Sequence, residues 1–288
     1  MPAPHTAPKT AEALREERFH LLEDIARELA GDVVFPVCFD ATIRISSVMR
    51  SQTASLQRIA QEVQKDPLIT TKLLKLANTT AFNPGGRPVL DLGSAVLRLG
   101  MQTTRSVAMA CSLQQLSKGE GAAAFEDKAQ ALWRHSMRTA AYAMVLARRL
   151  TRHNPDVAML AGLVHDLGAF FLLDRAGHYP ELVERPASVD YLVAQWHDSI
   201  GATLMSTLGM PEEVIDAVHE IDLPRPPVEQ LRTLNDLLYV ANLFAGGVEE
   251  MRRMDVPMLE DPAELSDPQY LDCQDEAEAN CAEMLNVW

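Results

Sequence analysis

Apolar residues recur at helical spacing along the whole of this chain, and no alternating strand pattern persists in any stretch. Leu56, Ile59, Ala60 and Val63 make one such stripe, and Leu68, Thr71 and Leu74 begin the next. Helix-start signals stand between the runs. "KDP" puts Asp66 at an N-cap and Pro67 at the first helical position, and "NPD" caps the helix that follows it. "MPEE" restarts another run with Pro211 first and Glu212 and Glu213 in the opening turn. Gly31, Gly100, Gly209 and Gly246–Gly247 fall where helices should stop. The expected fold class is all-α. Helices are predicted over 11–30, 126–152 and 188–208, and as single runs through "VAMLAGLVHDLGAFFLL" and "VEQLRTLNDLLYVANLFAGG". "VVFPVCFD" is expected to be a short extended entry. "SKGEGAAAFEDK" is the most linker-like interior stretch and the candidate boundary between two helical halves, about 11–120 and 125–250. Residues 1–10, rich in Pro and Ala, are expected to be disordered.

The formal charge is −14. Most of it comes from 251–288, where ten acidic residues lie between Asp255 and Trp288 with no Lys or Arg among them. This segment is expected to be a solvated acidic extension. An acidic surface argues against direct nucleic-acid binding, which needs cations to displace phosphate counterions. No apolar run reaches the roughly 18 residues of a membrane span, and the first residues carry no signal-peptide core. Cys38, Cys111, Cys273 and Cys281 are scattered without a CxxC pair, which fits reduced thiols and a cytoplasmic chain.

Four histidines, His135, His165, His197 and His219, fall on four successive predicted helices, and Asp166 follows His165 directly. Imidazole and carboxylate together suit zinc, iron, manganese or nickel, and such a metal can activate water for phosphate-ester hydrolysis. The plainer reading is structural, since a buried histidine usually bonds a carbonyl or a carboxylate. Neighbours on a helix point about 100° apart, so His165 and Asp166 share an ion only at a helix edge. His178, in "HYP", is set aside as chance.

"WRHSMRTAAYAMVLARRL" followed by "AMLAGLVHDLGAFFLL" resembles the HD-domain superfamily of metal-dependent phosphohydrolases. The upstream stretch "ASLQRIAQEVQKDPLITTKLLKLANTTAFNPGGRPVLDLGSAVLRLG" resembles the N-terminal half of the HDOD family, the HD-related output domains of bacterial signalling proteins. "WHDSIGATLMSTLGMPEEVIDAVHE" is similar to the later helices of that family. The resemblance covers roughly 33–222 and fades toward 247. It implies a single HDOD domain over 11–250, with an N-terminal helical half and an HD-like half.

The resemblance also implies a metal set of His135, His165 and Asp166, with Asn242 standing where active HD enzymes place a late Asp. His197 and His219 match extra histidines of the binuclear relatives that cleave cyclic di-GMP. Those relatives carry HHExxDGxGYP, where this chain has "HEIDLP". Ala169 takes the place of a Lys that often follows the dyad. The expectation is therefore a non-enzymatic output or adaptor module, with no cofactor required and a divalent metal as an option. Its partner would be a response regulator, a kinase or a cyclic-dinucleotide enzyme. The alternative is a metal-dependent phosphohydrolase or phosphodiesterase acting on a nucleotide. A nucleotide sensed without turnover would use the same pocket.

Overall fold

The computed structural model describes residues 20–27, 36–252 and 261–288, and all regular structure among them is helical. Residues 20–27 form α1. Only this part of the helix expected over 11–30 lies within the described residues, and residues 1–10 fall outside them. A 3-10 turn at Val37–Phe39 stands in the entry stretch that had been expected to be extended.

The first half continues with α2 (Asp40–Arg50), α3 (Leu56–Val63), α4 (Pro67–Leu76) and α5 (Leu92–Ser117). Each of the last three begins on a side-chain cap. Ser55 Oγ accepts from the Arg58 amide at 3.2 Å, Asp66 Oδ1 from Ile69 at 3.0 Å, and Asp91 Oδ1 from Ser94 at 2.8 Å. Gly100, at φ 75°, breaks α5 into a short helix and a long buried one.

The second half holds α6 (Glu126–Leu150), α7 (Pro155–Val164), α8 (Leu167–Ala176), α9 (Pro180–Val183), α10 (Pro186–Thr207), α11 (Glu212–Val218), α12 (Leu234–Asn242) and α13 (Val248–Met251). α6 packs against α7, α10 against α8, and α12 against α6. The run through "VEQLRTLNDLL" becomes helical only at Leu234. There Thr233 and Asp236 form a capping box that starts the helix later than the apolar spacing suggested. The "SKGEGAAAFEDK" stretch joins the halves but is not a loose linker, because Ala122 and Phe125 are buried in a 3-10 turn packed on α8.

The C-terminal segment departs from the expected solvated extension. Described from residue 261, it forms α14 (Pro268–Leu271) and α15 (Gln274–Val287), and α15 packs against α6. Tyr270, Cys273, Ala277, Cys281 and Met284 recur every three or four residues and are buried. Trp288 meets Trp133 edge-on, with ring centroids 5.7 Å apart. The acids occupy the other faces and meet arginines of α6: Arg138 with Glu278, and Arg148 with Glu276. A single buried cluster runs through Leu73, Leu113, Tyr142, Phe170, Leu237 and Met284, so both halves and the C-terminal helices share one core.

α7 and α8 together are apolar and long enough to cross a membrane by composition, but nearly all of that stretch is buried inside the protein. They are two helices rather than the single run expected. The chain breaks between them at His165–Asp166.

Candidate metal centre

The break between α7 and α8 decides where the dyad points. His165 closes α7, and Asp166, at φ −97° and ψ 17°, leaves helical geometry before α8 begins. This lets two consecutive side chains converge, which an unbroken helix would resist. His165 Nε2 lies 3.1 Å from Asp166 Oδ2. His135, from α6, brings its Nε2 to 3.1 Å from His165 Nε2 and 3.8 Å from Asp166 Oδ2.

Hydrogen bonds fix the tautomers. His165 Nδ1 donates to Gly162 O at 2.8 Å, and His135 Nδ1 donates to Ala245 O at 3.3 Å. A ring so bonded presents its Nε2 to the site, as an acceptor when neutral and as a donor when protonated. The two Nε2 atoms and Asp166 Oδ2 then face one another, none of the three pairs farther apart than 3.8 Å. Acceptors packed this way need a proton or a cation among them. Burial and the neighbouring His165 push the His135 pKa down. Burial works to raise the Asp166 carboxyl, but His165, His135 and His197 outweigh it and hold the group ionised, well below the usual carboxylate range. The donor set of two imidazoles and one carboxylate fits a borderline divalent metal such as zinc, iron, manganese or nickel.

A second group lies beside the first and shares Asp166. It comprises Asp166, His197 of α10 and Asp222, with donor atoms within 4.8 Å of one another. Here a proton already fills the gap. His197 Nδ1 donates to Val193 O at 2.7 Å and Nε2 donates to Asp222 Oδ2 at 2.8 Å. Both ring nitrogens face acceptors, so the imidazole is charged. Burial opposes that charge, but Asp222, with Asp166 behind it, raises the His197 pKa to about 10. Asp222 in turn stays ionised against its own burial because of His197.

Asn242 does not join the converging donors. It is fully buried, and its Nδ2 donates to Asp222 Oδ1 at 2.7 Å. The amide thus supports Asp222 as a donor, which an aspartate could not do. His219 is also outside the group. It is exposed at the end of α11, with Nδ1 2.9 Å from Asp198 Oδ2. It lies off the site because the chain turns away there, at Glu220 with φ 57°. Asp222 is the residue the sequence reading passed over. Its signal is a carboxylate set between Ile221 and Leu223, an apolar flanking that brings an acid into the interior.

A cavity of about 440 Å³ leads to these groups. Its walls carry His135, Asp166, His197 and Asp222, together with Ala169 and Leu173. Asp127, Asp190 and Glu249 add carboxylates. Lys128 is the lysine there, and its ammonium is paired with Asp190.

The HDOD domain family matches residues 35–224. Three solved structures share the fold. One, from Shewanella amazonensis SB2B, is provisionally named a metal-dependent phosphohydrolase; it is 24% identical with a TM-score of 0.66, covering 92% of this chain and 99% of that one. An HDOD domain protein of unknown function from Geobacter sulfurreducens is 20% identical with a TM-score of 0.60, covering 91% and 89%. A protein from Marinobacter aquaeolei VT8, provisionally named a signal transduction protein, is 20% identical with a TM-score of 0.56, covering 94% and 66%. No curated protein matches the chain.

Proposed function

This chain belongs to the HDOD family, and on that premise we propose that it is a signalling output or adaptor module whose HD half no longer hydrolyses phosphate esters. The observation that carries this reading is the charge of the cleft. A nucleotide phosphate entering it would meet Asp127, Asp190 and Glu249 on the walls and Asp166 at the floor. Lys128 is held by Asp190, His197 by Asp222, and Ala169 offers no cation. Phosphate recognition rests on free cationic donors, which these groups do not supply.

The same carboxylates favour a cation. His135, His165 and Asp166 are the residues that would hold a divalent ion, and bound there it would supply Lewis acidity toward water. In the adaptor reading, that ion or a shared proton braces α6 against the α7–α8 break, and the outer faces of the helices meet a signalling protein. A response regulator, a kinase or a cyclic-dinucleotide enzyme is the expected class. Affinity capture with the full chain, followed by reconstitution from purified components, tests this. One such partner binding stoichiometrically supports the reading. A chain that enriches no partner over a mock bait, while turning over nucleotides, contradicts it.

The second reading, a metal-dependent phosphohydrolase, is favoured by the His135–His165–Asp166 convergence. It requires turnover that depends on added metal and on Asp166.

A further inference from the structure

In the first helical half, away from the cleft, an arginine is buried without an anion. Arg105, on the long part of α5, is 7% exposed, and its Nε is buried with no hydrogen-bond partner. Its guanidinium takes part in no hydrogen bond or ion pair among the described residues. Arginine cannot shed its proton to escape burial, so such a group normally has a carboxylate or a set of carbonyls against it.

What lies nearby is a second cation. α2 packs on α5 with Thr42 Oγ1 2.8 Å from Ser112 Oγ. Two turns along α2 from Thr42, and two turns back along α5 from Ser112, come Arg50 and Arg105. Burial, with the Arg50 charge added to it, pushes the Arg105 pKa down, and no carboxylate counters them. Arg50 is held in place: its Nη1 donates to Leu208 O at 3.2 Å in the turn between α10 and α11. It lies directly over Gly209, where a Cβ would sit 1.4 Å from Nη1. Gly209, at φ 67°, thus serves both the turn and the arginine. One turn before Arg50 on the same face of α2, Ser46 Oγ is buried and also lacks a partner.

We propose that Arg50 and Arg105 form a binding site for a compact dianionic oxyanion of the phosphate class, at the junction of α2, α5 and the α10–α11 turn. Two guanidinium forks from two helices suit two negative charges on clustered oxygens, and Ser46 adds a hydroxyl. Among the described residues no carboxylate acts on Arg105, in a chain of net charge −14. The site uses none of the residues that line the metal-centre cavity, so it stands whether or not that centre binds a cation. The ligand is either free phosphate or the phosphoryl group of a small molecule.

The test is thermal denaturation of the full chain in inorganic phosphate, pyrophosphate, glycerol 3-phosphate or succinate, each against sodium chloride at matched ionic strength. The expected result is a saturable rise in melting temperature with phosphate-class anions, about 5 °C at a hundredfold excess over the dissociation constant. Glycerol 3-phosphate exceeding phosphate points to an esterified ligand, and the reverse points to the free ion; both support the site. Arg50→Met, an exposed change that leaves the core alone, should abolish the rise, as should Arg105→Met if it folds. His165→Ala should keep it. No rise beyond the chloride control overturns the proposal. So does a rise with succinate alone, or one that survives Arg50→Met and disappears in His165→Ala.

Discussion

His197 Nε2 donates to Asp222 Oδ2 at 2.8 Å inside the cleft, and this bond closes what would otherwise be half of a two-ion site. A proton sits where a second metal would have to compete. The pair ties α10 to the loop after α11 and, through Asn242, to α12. It sets the first expectation, a pH dependence. The His197 pKa is raised from 6.5 to about 10, so the folded state holds this proton more tightly than the unfolded chain does. The stabilisation is complete below about pH 6.5 and fades as pH rises toward 10. It is on the order of 5 kcal/mol at its full extent. Melting temperatures from pH 6 to pH 10 should fall in the wild type and stay flatter in Asp222→Asn. That variant should also be less stable at pH 7 by about 3–5 kcal/mol, because it breaks a buried ion pair.

Metal content follows from the same bond. With the second group closed by a proton, His135, His165 and Asp166 are the group left to take a cation among the described residues. Elemental analysis after incubation with Zn²⁺ or Mn²⁺ and desalting should give about one ion per chain. His135→Ala should remove it, while His219→Ala should leave it unchanged, since His219 is exposed and paired with Asp198. Two ions per chain would show that His197 gives up its proton readily.

Asn242→Asp tests the role of the amide. The substitution replaces a donor to Asp222 with a second carboxylate in a fully buried place. A loss of about 2–4 kcal/mol is expected by chemical denaturation, from the lost hydrogen bond and the added like charge. Adding Mn²⁺ should recover part of the loss, because a cation can sit between carboxylates that repel.

Gly168, beside the dyad, is needed for close approach. A Cβ there would come within 1.9 Å of His197 O, so α8 and α10 touch backbone to backbone. Gly168→Ala should force the two helices apart, cost more than about 3 kcal/mol and disturb the His197–Asp222 bond. Gly85→Ala is the control: nothing lies within 4 Å of its Cβ position, and stability should change by less than about 0.5 kcal/mol.

The caps and proline starts at Asp66 and Asn154 were legible because the signals act within one turn, so local spacing suffices. The break at His165–Asp166 was not, since Val164 and Leu167 on either side are apolar and helix-compatible; tertiary packing of α7 on α6 and of α8 on α10 sets the kink. Counting charge over 251–288 hid the buried stripe of Tyr270, Ala277, Cys281 and Met284, because the acids between them face arginines of α6. His135, His165, Asp166 and His197 could be named from the sequence, and they come together here. Asp222 and Arg105 could not be singled out, since one lies in a loop and the other is a single arginine on the long buried part of α5. Their importance comes from what surrounds them across the chain.

The central claim is that the cleft can hold a cation but does not hydrolyse phosphate esters. Its most direct measurement is turnover of cyclic dinucleotides, cyclic mononucleotides and nucleoside triphosphates in saturating Mn²⁺ or Fe²⁺, with wild type and Asp166→Ala side by side. The expected result is equal, background-level product from both proteins. Metal-dependent turnover by the wild type that Asp166→Ala abolishes would contradict the claim.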